Sequence, residues 1–99
     1  MPFVTAQPAE LAAAATSLRA IGSAVSAENA SIAAPTTGIM PAAADEVSAL
    51  TAAQFSAHGR IYQALSMQAA EIHEMFVNTL ASSADSYAAT EAANAIATR

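Results

Sequence analysis

Large apolar residues recur at helical spacing through a chain in which nearly a third of the residues are alanine. Leu11, Leu18, Val25 and Ile32 stand seven apart, with Ile21 between them. Phe55, Tyr62 and Phe76 occupy a second seven-residue grid, with Ala69 in its remaining slot. His58, Leu65 and Ile72 form a companion row three residues further on. Alternating steps of three and four place such residues along one side of an α-helix. Alanine is the strongest helix former, so propensity and pattern agree. The sequence predicts an all-α chain, two long antiparallel helices forming a helical hairpin.

The punctuation sets the boundaries. Pro8 suits a first helical turn, where a missing N–H costs nothing, and Glu10 sits well against the helix dipole. The first helix is expected over about 8–34 and a loop over 35–41, marked by Pro35, Gly38 and Pro41. Short connections imply antiparallel neighbours. The second helix is expected over about 42–83, and the polar, small residues 84–99 read as a frayed helix end or a mobile tail. The chain reads as a single domain, 1–99. Phe3 and Val4 could staple the N-terminus to the hairpin.

The second helix has more apolar surface than one neighbour requires. At about 100° per residue, the apolar side chains from Val47 to Leu80 sweep about 200° of its circumference. A helix packed on one neighbour needs a stripe of a little over 100°. Arg60, Gln63, Glu71, Glu74 and Asn78 share what remains, as a solvated face. A two-helix hairpin of this size buries little, and small domains are marginal to begin with. The surplus stripe therefore reads as an intermolecular contact. Leu11, Leu18, Ile21, Val25, Phe55, His58, Ile61, Tyr62, Leu65, Ile72, Phe76 and Leu80 are its candidate residues.

Chemistry finds little foothold. The chain has no cysteine, so disulfides and thiolate metal sites are excluded. Three basic residues against eight acidic ones make nucleic acid an improbable partner. No apolar run approaches the length of a membrane-spanning helix, and the first residues lack the features of a secretory signal peptide. His58 and His73 stand about 22 Å apart on one helix and cannot share a metal. Glu71 and Glu74 lie on the polar face with no pocket to raise a pKa. There is no nucleophile elbow and no phosphate loop. The expectation is a non-enzymatic chain with no cofactor, no metal and no catalytic residue. A self-associating bundle, acting as a cell-envelope structural or pore component, stays open as the alternative.

An ordered series of local features runs the length of the chain. It comprises Phe3-Val4 and Gln7-Pro8, Leu11 with four alanines after it, Ala34-Pro35-Thr36-Thr37-Gly38, and Pro41 through Ser48. It continues through Gln54-Phe55, Ile72-His73-Glu74-Met75-Phe76-Val77, and Tyr87 with Glu91 one helical turn on. Together these resemble the PE family of mycobacterial proteins. One departure is Pro8-Ala9-Glu10 where the family has an adjacent Pro-Glu, with Leu11 still in register. The resemblance implies an obligate heterodimer with a longer helical protein of the PPE family, in which the hairpin completes a four-helix bundle. It implies export of the pair by a type VII secretion system, secreted or to the cell surface, after a cytoplasmic stage. A type VII secretion chaperone would be contacted only indirectly, through the PPE protein. Tyr87 and Glu91 match the family's Tyr-x-x-x-Asp/Glu secretion signal. Many relatives carry long C-terminal extensions, and a chain ending at Arg99 reads as the bare module.

Overall fold

The structure, a computed structural model, describes residues 6–98. Two helices, α1 (Pro8–Thr37) and α2 (Glu46–Ala97), form the hairpin. The staple expected from Phe3 and Val4 lies outside the described residues. Two compact units each take part of both helices: Met1–Gly22 with Ile72–Arg99, and Ser23–Glu71.

The helix ends follow from local hydrogen bonding. At the start of α1 the Gln7 carbonyl accepts from the Glu10 and Leu11 N–H groups at 3.0 and 3.1 Å. Pro8 follows as the first helical residue, which needs no N–H partner. At the other end α1 runs past Pro35, beyond the boundary expected near 34. Thr36 donates its hydroxyl to the Ile32 carbonyl at 2.6 Å, and Thr37 to the Ala33 carbonyl at 2.7 Å. Pro35 removes only the N–H that would meet the Ser31 carbonyl, and the Gly38 N–H on the Ala34 carbonyl at 3.1 Å continues the ladder beyond it.

Helix α2 begins at Glu46, not near 42, because Asp45 caps it. Asp45 Oδ1 accepts the Ser48 N–H at 2.8 Å and Oδ2 accepts the Ser48 hydroxyl at 3.0 Å. Its backbone carbonyl already receives the first helical bond, from Ala49. The Ser48 N–H, then the Ser48 hydroxyl, hold the Asp45 carboxyl below its ordinary value. At its far end α2 continues to Ala97, beyond the boundary expected near 83, so the residues read as a frayed helix end or a mobile tail are helical. Its last turns are built mostly of alanine, whose propensity sustains a helix without tertiary support. Every residue from Asp85 to Thr98 is exposed.

The contact inside the hairpin is made by small side chains. In the Ser23–Glu71 unit, α2 buries Ala52, Ser56 and Gly59 and half-buries Gln63 and Ser66. Gly59 meets Thr36 of α1 backbone to backbone: a β-carbon at Gly59 would strike the Thr36 carbonyl oxygen. Ser56 Oγ accepts the Ile39 N–H at 3.0 Å and ties the loop down. In the other unit the buried residues are Ala15, Val77 and Ala84, with Val77 wholly enclosed. There His73 donates Nε2–H to the Leu18 carbonyl at 2.6 Å, its ring seated on Gly22. A β-carbon at Gly22 would lie 2.7 Å from His73 Cδ2. Close approach of two helices requires such notches, because side chains otherwise hold axes 8–10 Å apart.

Candidate functional site

The large apolar residues of α2 face outward. Phe55, Leu65 and Phe76 are 57, 58 and 57% exposed. In the Ser23–Glu71 unit they are joined by Val47, Leu50, Ile61, Tyr62 and His58, all exposed. In the other unit, Ile72 and Met75 flank Phe76 in the same state. On the helical wheel of α2 all of these fall within one arc, centred about 120° from the residues that touch α1. A polar arc with Arg60, Glu71, Glu74 and Asn78 completes the circumference. So α2 has three faces: a small-residue face spent on α1, a large apolar face left exposed among the described residues, and a polar face.

The sequence-based candidates do not all share that condition. Ile21, Val25, Phe55, His58, Ile61, Tyr62, Leu65, Ile72 and Phe76 are exposed. Leu11, Leu18 and Leu80 are half-buried, because the hairpin's own contact already covers part of each. Gln63 does not belong to the solvated face. It is half-buried and donates Nε2–H to the Asn29 carbonyl at 3.0 Å. Glu74 lies 4.0 Å from Arg19, whose guanidinium also donates to Asn78 Oδ1 at 3.4 Å. Both partners of that ion pair are about half exposed, so it contributes little.

Two residues carry meaning that periodicity alone did not flag. Asn29 of α1 accepts the Tyr62 hydroxyl at 2.6 Å through Oδ1 and Gln63 through its backbone carbonyl. Gly59 fixes where α1 can lie against α2. Their sequence signal is a glycine and an asparagine in helical runs that propensity would fill otherwise.

Tyr87 and Glu91 stand on the free last turns of α2, both exposed and one turn apart. Tyr87 borders a shallow open groove with Asn78, Thr79, Ser82, Ser83, Ser86 and Thr90. The apolar arc of α2 thus gives way, past Leu80, to hydroxyl side chains. Among the described residues no group of His, Asp and Glu is placed to hold a metal, and no helix is long and apolar enough to cross a membrane.

The PE family pattern matches residues 4–94, nearly the whole chain. The chain belongs to the PE family. It is 64% identical to PE family protein PE13 of Mycobacterium tuberculosis (strain ATCC 25618 / H37Rv), over 98% of each chain. It is 55% identical to PE family protein PE8 of the same strain, where it covers 98% of its own length but 35% of the relative's. It is likewise 57% identical to PE-PGRS family protein PE_PGRS33 of Mycobacterium tuberculosis (strain CDC 1551 / Oshkosh), spanning 20% of that protein. The PE unit is therefore found both nearly alone and as a fraction of much longer proteins.

Proposed function

We propose that this PE chain is a non-enzymatic heterodimerisation module. It pairs with a PPE family protein through the exposed apolar face of α2 and carries a type VII secretion signal at Tyr87 and Glu91. One observation supports the pairing above all others. The hairpin spends mostly alanine, serine and glycine on its own contact and leaves Phe55, Ile61, Leu65, Ile72 and Phe76 exposed. Solvent exposure of that many large side chains is costly, at about 1.5–3 kcal/mol for each one that a partner could bury. Two helices of a PPE protein laid along α2 and the adjoining α1 residues, Ile21 and Val25, would complete a four-helix bundle around them. A chaperone acting before export would then hold the PPE member and reach this chain only indirectly.

The signal is supported by its position. Tyr87 and Glu91 lie beyond the packed part of α2, so a phenol and a carboxylate are presented together at no cost to the hairpin. Co-expression with a PPE protein, followed by mass measurement of the purified species, tests the pairing. A stable one-to-one complex is the expected result. A homo-oligomer that forms equally well with and without the PPE protein would instead identify a self-associating bundle.

A further inference from the structure

We propose that Asn29 is a positioning residue for partner recognition: it sets the Tyr62 ring on the apolar face and withdraws the phenol proton from the partner. The inference rests on the reading of that face as the partner-binding surface. Asn29 sits on α1 between the exposed Val25 and Ile32, at the step where those rows would take another aliphatic residue. Its Oδ1 accepts the Tyr62 hydroxyl at 2.6 Å, and its backbone carbonyl accepts Gln63 Nε2–H at 3.0 Å. A phenol has one proton to donate, and here the hairpin takes it.

The consequences follow from exposure. Tyr62 remains 47% exposed, so its ring still forms part of the outward face, beside His58 and Leu65. A tyrosine at an interface ordinarily offers an apolar body and a polar tip. With the tip tied back to α1, the ring is what meets the partner, and the fitting occupant opposite it is an apolar surface with no acceptor. Holding the ring in one orientation before binding also removes a rotamer cost from association. A polar residue at a helix–helix seam costs stability in exchange for a defined register. Asn29 meets that description, since the Tyr62 hydroxyl bonds its side-chain Oδ1 across the seam while Gln63 bonds its backbone carbonyl.

The experiment measures the affinity of the full chain for its PPE partner in four variants: Asn29→Leu, Asn29→Asp, Tyr62→Phe and the double variant Asn29→Leu with Tyr62→Phe. Asn29→Leu and Tyr62→Phe should each weaken binding by about three- to tenfold, the equivalent of one net hydrogen bond. The double variant should be no weaker than the worse single one. Asn29→Asp keeps an acceptor oxygen and should restore near-native affinity, which a purely packing role would not produce. Native affinity in Asn29→Leu, additive losses in the double variant, or failure of Asn29→Asp to rescue would each overturn the assignment. Phe76→Ala serves as the control. If it leaves affinity unchanged, the partner face itself is misassigned; if it weakens binding while Asn29→Leu does not, only the role of Asn29 falls.

Discussion

Gly59 of α2 lies against Thr36 of α1 so closely that a single added β-carbon would meet the Thr36 carbonyl oxygen. The obstacle is backbone and cannot swing aside. At Gly22 the obstacle is the ring of His73, a side chain with torsional freedom. The two glycines look alike in sequence and differ in what they permit.

Gly59→Ala should therefore destabilise the hairpin although alanine is the better helix former. Overpacking costs about 1–3 kcal/mol, set against a helix-propensity gain of about 1 kcal/mol. Gly22→Ala should cost less, because His73 can rotate away and forfeit one hydrogen bond. Thermal unfolding of each variant in its complex with a PPE protein, followed by circular dichroism, orders the two. A Gly59→Ala chain that melts higher than the native one would mean the helices are not in this close contact.

The isolated chain should lack the cooperative monomeric transition of an ordinary domain. Among the described residues the wholly enclosed core amounts to little more than Val77 and a few alanines, which is small against the entropy of ordering two long helices. Sedimentation and thermal melts of the chain alone provide the check. A monomer with a sharp transition would sink the idea that a partner supplies the missing core.

Substitutions on the two outward faces of α2 should separate cleanly. Leu65→Ala and Phe76→Ala should each weaken the complex by about 2–5 kcal/mol, the usual cost of truncating a large side chain buried on assembly. Glu71→Ala, on the polar face, should change it by about 0.5 kcal/mol or less. Co-purification that survives both apolar truncations but fails with Glu71→Ala would reverse the assignment of the faces.

Tyr87→Ala and Glu91→Ala should leave the complex intact and abolish export. Both side chains are exposed among the described residues, so their loss removes no core there. Comparing cell lysate with culture filtrate reads the outcome. Mutant protein that pairs normally and reaches the filtrate at the native level would reduce the two residues to a surface pair.

Acidification should loosen the first turn of α2. The bonds from Ser48 favour the charged form of Asp45 and lower its pKa in the folded chain. The cap's contribution is then fully present above the unfolded-state value and is lost as pH falls through the lower folded one. Protection of the Ser48 and Ala49 amides, measured against their intrinsic exchange rates at each pH, should fall over that acidic range. In Asp45→Asn, where the cap carries no titrating group, the loss of protection should disappear; if it persists, another group controls the helix start.

The helices themselves were legible from residue order. Alanine propensity, the proline-bounded break and the seven-residue grids led directly to a hairpin, and the width of the apolar arc led to a face with no covering inside the chain. Boundaries were less legible. Pro35 signalled an end that the backbone ladder continuing beyond it postponed, and a polar tail carried enough alanine to stay helical through Ala97.

Which face α2 spends on α1 was decided only by the tertiary structure. Hydrophobic periodicity ranks faces by how much each gains from burial, and it pointed to Phe55, Leu65 and Phe76. Helices that approach closely need the opposite property, side chains small enough to let backbones meet, and alanine occurs on every face of this chain. Nothing in the pattern distinguishes Ala52 or Ala84 from the alanines that face solvent, or marks Gln63 as bound to Asn29. The sequence by itself determined two helices with more apolar surface than they can share. Close packing at Gly59, Gly22 and Val77 determined that the small-residue face closes the hairpin, and that the large apolar side chains such as Phe55, Leu65 and Phe76 stay exposed.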